Sequence, residues 1–518
     1  MMVQESSSLQ KRYDELTGDR SVFLERGRDS SVLTIPSLLP EEGHSSSTKF
    51  DTPYQSVGAR GVNNLASKLL LTLLPANSPF ARLIVDDSAL EALGAAGRGE
   101  VEVGLAKIER MVMADIETKA IRVPVFEALK HLIVTGNALV YLDKGVGTMK
   151  VFRLDRYVVK RDAMGNVLEI ITKESVDKKM LPNEVVALMP DLTDTEHKTL
   201  DLYTGVVLTS KGYEVHQEVM GIEIPKSRGV YKKGKLPFIP LRFIRIDGED
   251  YGRGYIEEYI GDLISLEALS QAIVEGSAAS AKVLFLVAPN GTTKASTLGR
   301  AANGAFVDGN ANDVTTLQVQ KAADFRVAES TSSKIEQRLA YAFLLNSAVQ
   351  RNAERVTAEE VRYMAQELEA ALGGIYSILS QEFQLPLVTL ILESLQKEKK
   401  MPKLPKEIKP VIVTGVEALG RGQDLNKLAT FLQYLHPLGP QVIQSELKVG
   451  DYIARLGASL GIDTFGLIKT EQEKMQEQQE ALAQQQQMMQ DQTMANMAER
   501  SAPELAKQMG NTEQINNG

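Results

Sequence analysis

At 518 residues the chain has room for about three domains, and 43% hydrophobic with 24% charged residues is the make-up of an ordinary globular protein. Its 58 Lys+Arg against 67 Asp+Glu leave a net charge of −9, which argues against coating nucleic acid through bulk positive charge. Cysteine and tryptophan are absent, so disulfides, thiolate metal sites, Cys nucleophiles and an extensive base-stacking surface are set aside.

The N-terminus is polar and lacks the apolar core of a signal peptide. Residues 5–30 are helix-compatible, and Pro36 and Pro40 bracket a short extended piece. Val62, Leu65, Ala66, Leu69, Leu70, Leu73 and Leu74 recur at helical spacing, which predicts a helix that Pro75 closes. A further helix is predicted over 101–123 from Val103, Ile108, Val112 and Ile116, and Pro124 opens another near 126–134. The period then falls to two. The runs 138–142, 150–154, 157–160, 167–171, 202–207, 213–219 and 238–246 read as strands, with Gly165-Asn166 as a hairpin turn. Residues 138–246 are therefore expected to form an antiparallel sheet region.

After 247 an apolar stripe of Ile256, Tyr259, Leu263, Leu266, Leu269 and Ile273 predicts a helix that the small residues 276–281 end. Short β runs fill 283–325. A second helix is expected from a cap at Ser332 or Ser333, carrying Ile335, Leu339, Ala342 and Phe343. A polar break follows, and then a capping box of Thr357 and Glu360. Behind it Val361, Met364, Leu368, Leu372, Ile375 and Leu379 carry one helix toward 399, kinked at Gly373-Gly374 and Pro386. Such a helix of about 40 residues would be about 60 Å long. More helices are expected over 424–469. Beyond 471, twelve Gln and six Met predict an exposed or self-associating helix from about 463 to 495 and a disordered end. The apolar runs 283–288 and 385–392 are shorter than the ~18 residues of a membrane span, so no membrane insertion is expected. The fold class is α+β.

Signatures of chemistry are scarce. No Gly-rich loop ends in Lys-Ser/Thr, Gly252-Arg-Gly254 lacks the third glycine of a dinucleotide fingerprint, and no Gly-x-Ser-x-Gly elbow occurs. His44, His131, His197, His216 and His436 are scattered, and His131 reads as a packed histidine. The pairs Asp86-Asp87, Asp247/Asp250 and Glu257-Glu258 read as caps and solvated faces. No catalytic residue, metal ligand or cofactor is assigned. Two basic features stand out. Lys226, Arg228, Lys232, Lys233, Lys235, Arg242 and Arg245 place seven cations in twenty residues with no acid among them; they read as a solvated face, a subunit contact or a basic contact patch. Arg351 and Arg355 lie in the polar break between helices, where a loop held by rigid elements can carry function.

Six stretches give the chain a recognisable character: 51–69 (DTPYQSVGARGVNNLASKL), 157–167 (YVVKRDAMGNV), 247–259 (DGEDYGRGYIEEY), 345–362 (LNSAVQRNAERVTAEEVR), 372–380 (LGGIYSILS) and 415–424 (GVEALGRGQD). In them the chain resembles the portal proteins, or head–tail connectors, of short-tailed coliphage-type podoviruses. The likeness is weaker at 175–235, 283–320 and after 470. The resemblance implies a portal fold in a ring of about twelve copies at one capsid vertex. Its parts would be a mixed α/β wing (1–250 and 357–440), stem helices (251–278 and 326–348), a β-containing clip (279–325), a tunnel loop (349–356), a helical crown (441–495) and a disordered tail (496–518). It implies double-stranded DNA in the channel, with Arg351 and Arg355 in the loop that meets it, and no ATPase activity of its own. The implied partners are the terminase large subunit and then a tail adaptor protein at the clip, major capsid and scaffolding proteins, and internal core proteins at the crown. Assembly would occur in the host cytoplasm and the product would reside in the virion. The residues alone leave two other readings: a metal-dependent enzyme acting on nucleic acid, and a non-ring scaffold associating through the Gln/Met-rich tail.

Overall fold

The computed structural model describes residues 8–45, 47–76, 79–85, 94–143, 147–189, 199–280, 284–317, 322–345, 358–401, 411–414, 421–439, 447, 449–460 and 469, with further positions between 473 and 493. The chain divides into two compact units, Met1–Ala92 with Lys107–Gly420, and Leu93–Ala106 with Arg421–Gly518.

The first unit is organised around α2 (Val57–Leu73). Its stripe is the predicted one: Val62, Leu65, Ala66, Leu69 and Leu73 are completely buried. They join one core with α4 (Arg122–Thr135), the later helices α7 (Ala358–Ala371), α8 (Ile375–Leu379) and α9 (Leu385–Lys397), and strands β2 (Asn137–Leu142) and β10 (Phe238–Arg242). α1 (Leu9–Val32) is capped by Ser8, whose hydroxyl accepts from the Lys11 amide at 3.3 Å. Its Leu9, Tyr13 and Leu16 pack on Val158, Ile171 and Tyr203. Residues 36–39, expected to be extended, form turns. The helix expected over 101–123 is α3 (Gly94–Thr118), and Pro124 sits inside the first turn of α4, where its missing N–H costs nothing.

Among the described residues all strand pairs are antiparallel, but the region 138–246 holds two sheets. β2 lies between β10 and β3 (Met149–Phe152), and a separate six-stranded sheet runs β4 (Tyr157–Arg161), β5 (Val167–Asp177), β6 (Thr199–Thr209), β7 (Gly212–Val219), β8 (Ile222–Glu223), with β9 (Gly229–Tyr231) also on β7. The β4–β5 hairpin is wider than a two-residue turn. Asp162 takes the amides of Met164 and Asn166 on one carboxylate oxygen, so the loop spans five residues. β1 (Ala81–Ile84) pairs with β13 (Val411–Thr414).

The single long helix does not form. Gly373 and Gly374 both adopt positive φ, 59° and 88°, a conformation that ends α7 and that only glycine takes cheaply. After α8, residues Ser380–Gln384 make a π-turn that leads into α9, with Pro386 in its first turn. Tyr376 Oη and Gln384 Nε2 donate to the carbonyls of Thr72 and Leu73, satisfying the open end of α2. Ile375–Lys397 is long and apolar enough to cross a membrane by composition. Its Tyr376, Leu379, Leu387 and Ile391 are instead buried in the core.

In the second unit α10 (Arg421–Leu435) packs on α11 (Val449–Leu460), and Tyr452 Oη donates to the Leu428 carbonyl at 3.1 Å. Residues 479–490 are helical and exposed, as the Gln-rich composition predicts. The rest of the helix expected over 463–495 falls largely outside the described residues.

Candidate functional site

Two helices and the ribbon between them make a distinct feature of the first unit. α5 (Ile260–Ser280) leads to β11 (Leu284–Val287), which pairs antiparallel with β12 (Val314–Leu317), and α6 (Ala322–Ala342) returns alongside α5. Both helices are longer than their sequence signals. α5 runs through the small residues to Ser280, and α6 begins ten residues before Ser332, which is mid-helix. Arg338 and Asp262 bridge the pair at 2.8 Å near one end. Near the other end Phe325 lies against Gly276.

Burial is uneven along this pair. At the near end Leu263, Leu266, Ile335, Leu339 and Phe343 enter the main core. At the far end no residue from Leu269 to Ser280 or from Phe325 to Lys334 is buried. Ile264, Val274, Val327 and Tyr341 are each more than half exposed, and so are Phe285 and Leu286 on opposite faces of the ribbon. Half of each helix thus stands without a core of its own, which leaves apolar surface uncovered in a single chain.

The near end is fixed by the stretch 247–259. Asn137 exchanges two 2.7 Å hydrogen bonds with the backbone of Gly252, and Arg253 exchanges backbone bonds with Ile244. The Val159 amide donates to the phenol oxygen of Tyr251. Asp250 accepts from the Arg161 amide and from Lys160, and that bond raises the Lys160 pKa. Tyr255 donates to the Ala342 carbonyl at 3.0 Å and packs with Tyr259 and Phe343 at centroid distances of 5.1 and 6.1 Å. Burial pushes the Tyr255 hydroxyl well above its ordinary range.

The stretch 51–69 holds the same end from the other side. Glu267 of α5 accepts from the amides of Tyr54 and Gln55 at 2.8 and 3.1 Å. Asn64 donates to the carbonyls of Phe343 and Leu344, tying down the exit of α6. Gly61 leaves the space that Phe343 fills, since a Cβ there would lie 2.4 Å from its ring. Lys68, on the buried face of α2, reaches to 3.9 Å from Glu367, and burial lowers its pKa. None of Glu267, Asn64, Asn137 or Tyr255 stands out by residue type; Asn64 and Tyr255 lie within the stretches 51–69 and 247–259 that carry the family resemblance, and Glu267 and Asn137 lie outside all six such stretches.

Arg351, Arg355 and the capping residue Thr357 lie outside the described residues. The seven-cation run does not form one surface. Lys226, Lys232 and Lys233 are exposed, and Arg228 is exposed but held by Glu223 at 2.8 Å. Lys235 stands 3.7 Å from Glu393, and exposed Arg245 donates to the Met164 carbonyl. Arg242 is only 2% exposed and pairs with Glu382 of the π-turn at 3.1 Å, so its guanidinium braces the interior and faces no partner. Among the described residues no three His, Asp or Glu side chains gather as a metal site. His131 is buried, with its Nε2 3.9 Å from Glu127 of the same helix.

The sequence model of a family described as "Bacteriophage head to tail connecting protein" matches residues 6–468. The chain belongs to this family, the phage portal proteins. It is 47% identical to the portal protein of Enterobacteria phage T3 over 472 residues, covering 89% of this chain and 88% of that one. The portal protein of Escherichia phage T7 is 46% identical over 474 residues, at 90% and 88% coverage. The portal protein of Enterobacteria phage SP6 is 31% identical over 480 residues, at 91% and 92%. Among solved structures the neck of an empty GTA particle aligns with 72% of this chain and 86% of that one, at 13% identity and a TM-score of 0.37, a likeness that carries no weight beside the sequence matches. The helix pair, its ribbon and the stretches that fix them all fall within the matched residues of this portal protein.

Proposed function

We propose that copies of this chain close into a ring, twelve in number by the family resemblance, at one vertex of the capsid, and that double-stranded DNA passes along its axis. The observation that carries this reading is the half-packed helix pair. Its far halves bury nothing in one chain, while a cyclic assembly presents a second copy to each of them. In this reading 251–278 and 326–348 are the stem, 279–325 the clip, 349–356 the tunnel loop, 1–250 with 357–440 the wing, and 441–495 the crown. The protein works without catalysis of its own. A terminase large subunit docks on the clip during packaging and a tail adaptor protein replaces it. Capsid and scaffolding proteins meet the wing, and internal core proteins meet the crown. The virion carries the finished ring, assembled in the host cytoplasm. The net charge of −9 per copy suits such a conduit, because a strongly attractive wall would hold DNA and slow its passage.

Electron micrographs of purified protein are expected to show closed rings with a central channel; monomers, or filaments without one, would remove the proposal. Within it, the double substitution Arg351→Ala with Arg355→Ala is expected to leave rings intact and to lower the fraction of packaged DNA retained in filled heads. Retention equal to wild type would take the loop arginines out of the mechanism.

A further inference from the structure

We infer that Gly276 and Phe325 form a spacer that sets how far apart α5 and α6 stand where they hand over to the β11–β12 ribbon, and hence how the ribbon is presented to whatever docks on it. The inference rests on the reading of the ribbon as a docking element. Glycine inside a helix is unfavourable relative to alanine, so an interior glycine calls for a reason in packing or conformation. Conformation supplies none here: Gly276 lies within α5, and its φ is not among the positive values. Space supplies it. A Cβ at 276 would lie 2.5 Å from Cε1 and 2.6 Å from Cζ of Phe325, well inside contact distance. At Gly261, near the start of the same helix, a Cβ would meet nothing within 4 Å.

The placement gives this contact leverage. It lies at the end of the pair where none of the described residues 269–280 and 325–334 is buried, so none of them anchors the helices in a core. The first described strand residue, Leu284, lies eight positions beyond Gly276, and the last, Leu317, lies eight before Phe325. Leu284 and Leu317 are direct partners across the ribbon. α5 ends at Ser280 and α6 begins at Ala322, so the separation of the helices at 276/325 sets the spacing of the two points from which the ribbon is reached. The Arg338–Asp262 bridge and the core contacts at the near end fix the other end. Gly276 and Phe325 are thus positioning residues, and they touch no DNA and no partner themselves.

The test is an exchange of knob and hole in the full-length protein. Gly276→Leu is expected to form rings of wild-type diameter in cryo-electron micrographs. In them density for residues 284–317 should be displaced or smeared, and filled heads should fall at least tenfold. Gly276→Leu with Phe325→Ala returns the lost volume from the other side and is expected to restore both. If Gly276→Leu alone leaves the ribbon and the yield of filled heads unchanged, or if the double variant fails to restore them, the inference is wrong. Should Gly276→Leu not fold, Phe325→Ala alone decides the matter: helices that lose the knob should close together and shift the ribbon, and an unshifted ribbon would refute the spacer. Wild-type rings that bind nothing at 284–317 would instead defeat the docking reading, whatever the variants do.

Discussion

Gly136→Ala is expected to abolish ring formation by removing the folded protein. Gly136 ends α4 in the left-handed conformation, φ 75°, where a side chain costs on the order of 1 kcal/mol or more. The larger effect is contact with main chain. A Cβ would lie 2.2 Å from the Arg253 carbonyl carbon and 2.6 Å from the Gly254 nitrogen. No rotamer relieves a clash with backbone, so the stretch 252–254 must move. With it would go the Asn137–Gly252 bonds and the anchoring of Tyr255 on α6. Two buried hydrogen bonds broken at about 1–3 kcal/mol each, together with the strain, cost about 3–7 kcal/mol before the backbone clash is counted, comparable with the low end of the roughly 5–15 kcal/mol that keeps a domain folded. Gly43→Ala is the control. Its φ is 82°, yet nothing lies within 4 Å of the added carbon, so it should lose only about 1 kcal/mol. Urea unfolding of the two variants separates the terms. Equal midpoints would mean that the close approach to Arg253 plays no part in stability.

Much of this arrangement is legible in the sequence, and the parts that are not have physical reasons. The stripe of α2 reads directly because every residue in it faces a core, and the strands of 138–246 read directly because they are short β-branched and aromatic runs bounded by turn residues. Their division does not read, because such runs do not say which strands pair. The start of α6 is missed for a related reason. Residues 325–334 bury nothing within the chain, so they carry little of the amphipathic period that marks a helix, and Ser332-Ser333 imitates a cap. The long helix fails in the opposite sense. Its apolar period continues through Gly373-Gly374 and the π-turn because both sides bury into the same core, and the break lies in backbone geometry alone. At the candidate site, Glu267, Asn64 and Asn137 act by bonding to backbone across 115 to 280 positions of sequence, and residue type gives no hint of such partners. Arg242 shows the limit of reading charge by composition. It belongs to a run of cations with no acid within it, and its acid arrives from Glu382, 140 positions away.

That pair yields the second large effect. Glu382→Ala is expected to cost about 3–5 kcal/mol, because it leaves the guanidinium of Arg242 buried without its counter-ion. The site is already incompletely satisfied: Arg242 Nε and Glu382 Oε2 have no hydrogen-bond partner. A second guanidinium also stands close. Arg161 donates to the carbonyls of Asp250, Gly165 and Pro240, and burial first, then the charge of Arg242, draws its pKa down to about 10. Removing Glu382 therefore leaves two near cations with less to balance them. Removing Arg242 acts differently. Arg242→Met keeps most of the volume, relieves the repulsion on Arg161, and leaves a Glu382 side chain that is 23% exposed and can turn toward water. It should cost about 1–2 kcal/mol. The double variant Arg242→Met with Glu382→Met should fall within about 1 kcal/mol of wild type, since a buried ion pair replaced by apolar groups of similar size is often neutral. The order Glu382→Ala worse than Arg242→Met, with the double variant best, can be read from urea midpoints. If Arg242→Met proves the more damaging of the two, the interior is using that cation for more than its partner Glu382, and the carbonyl of Glu249, 3.4 Å from its Nη1, is where to look next.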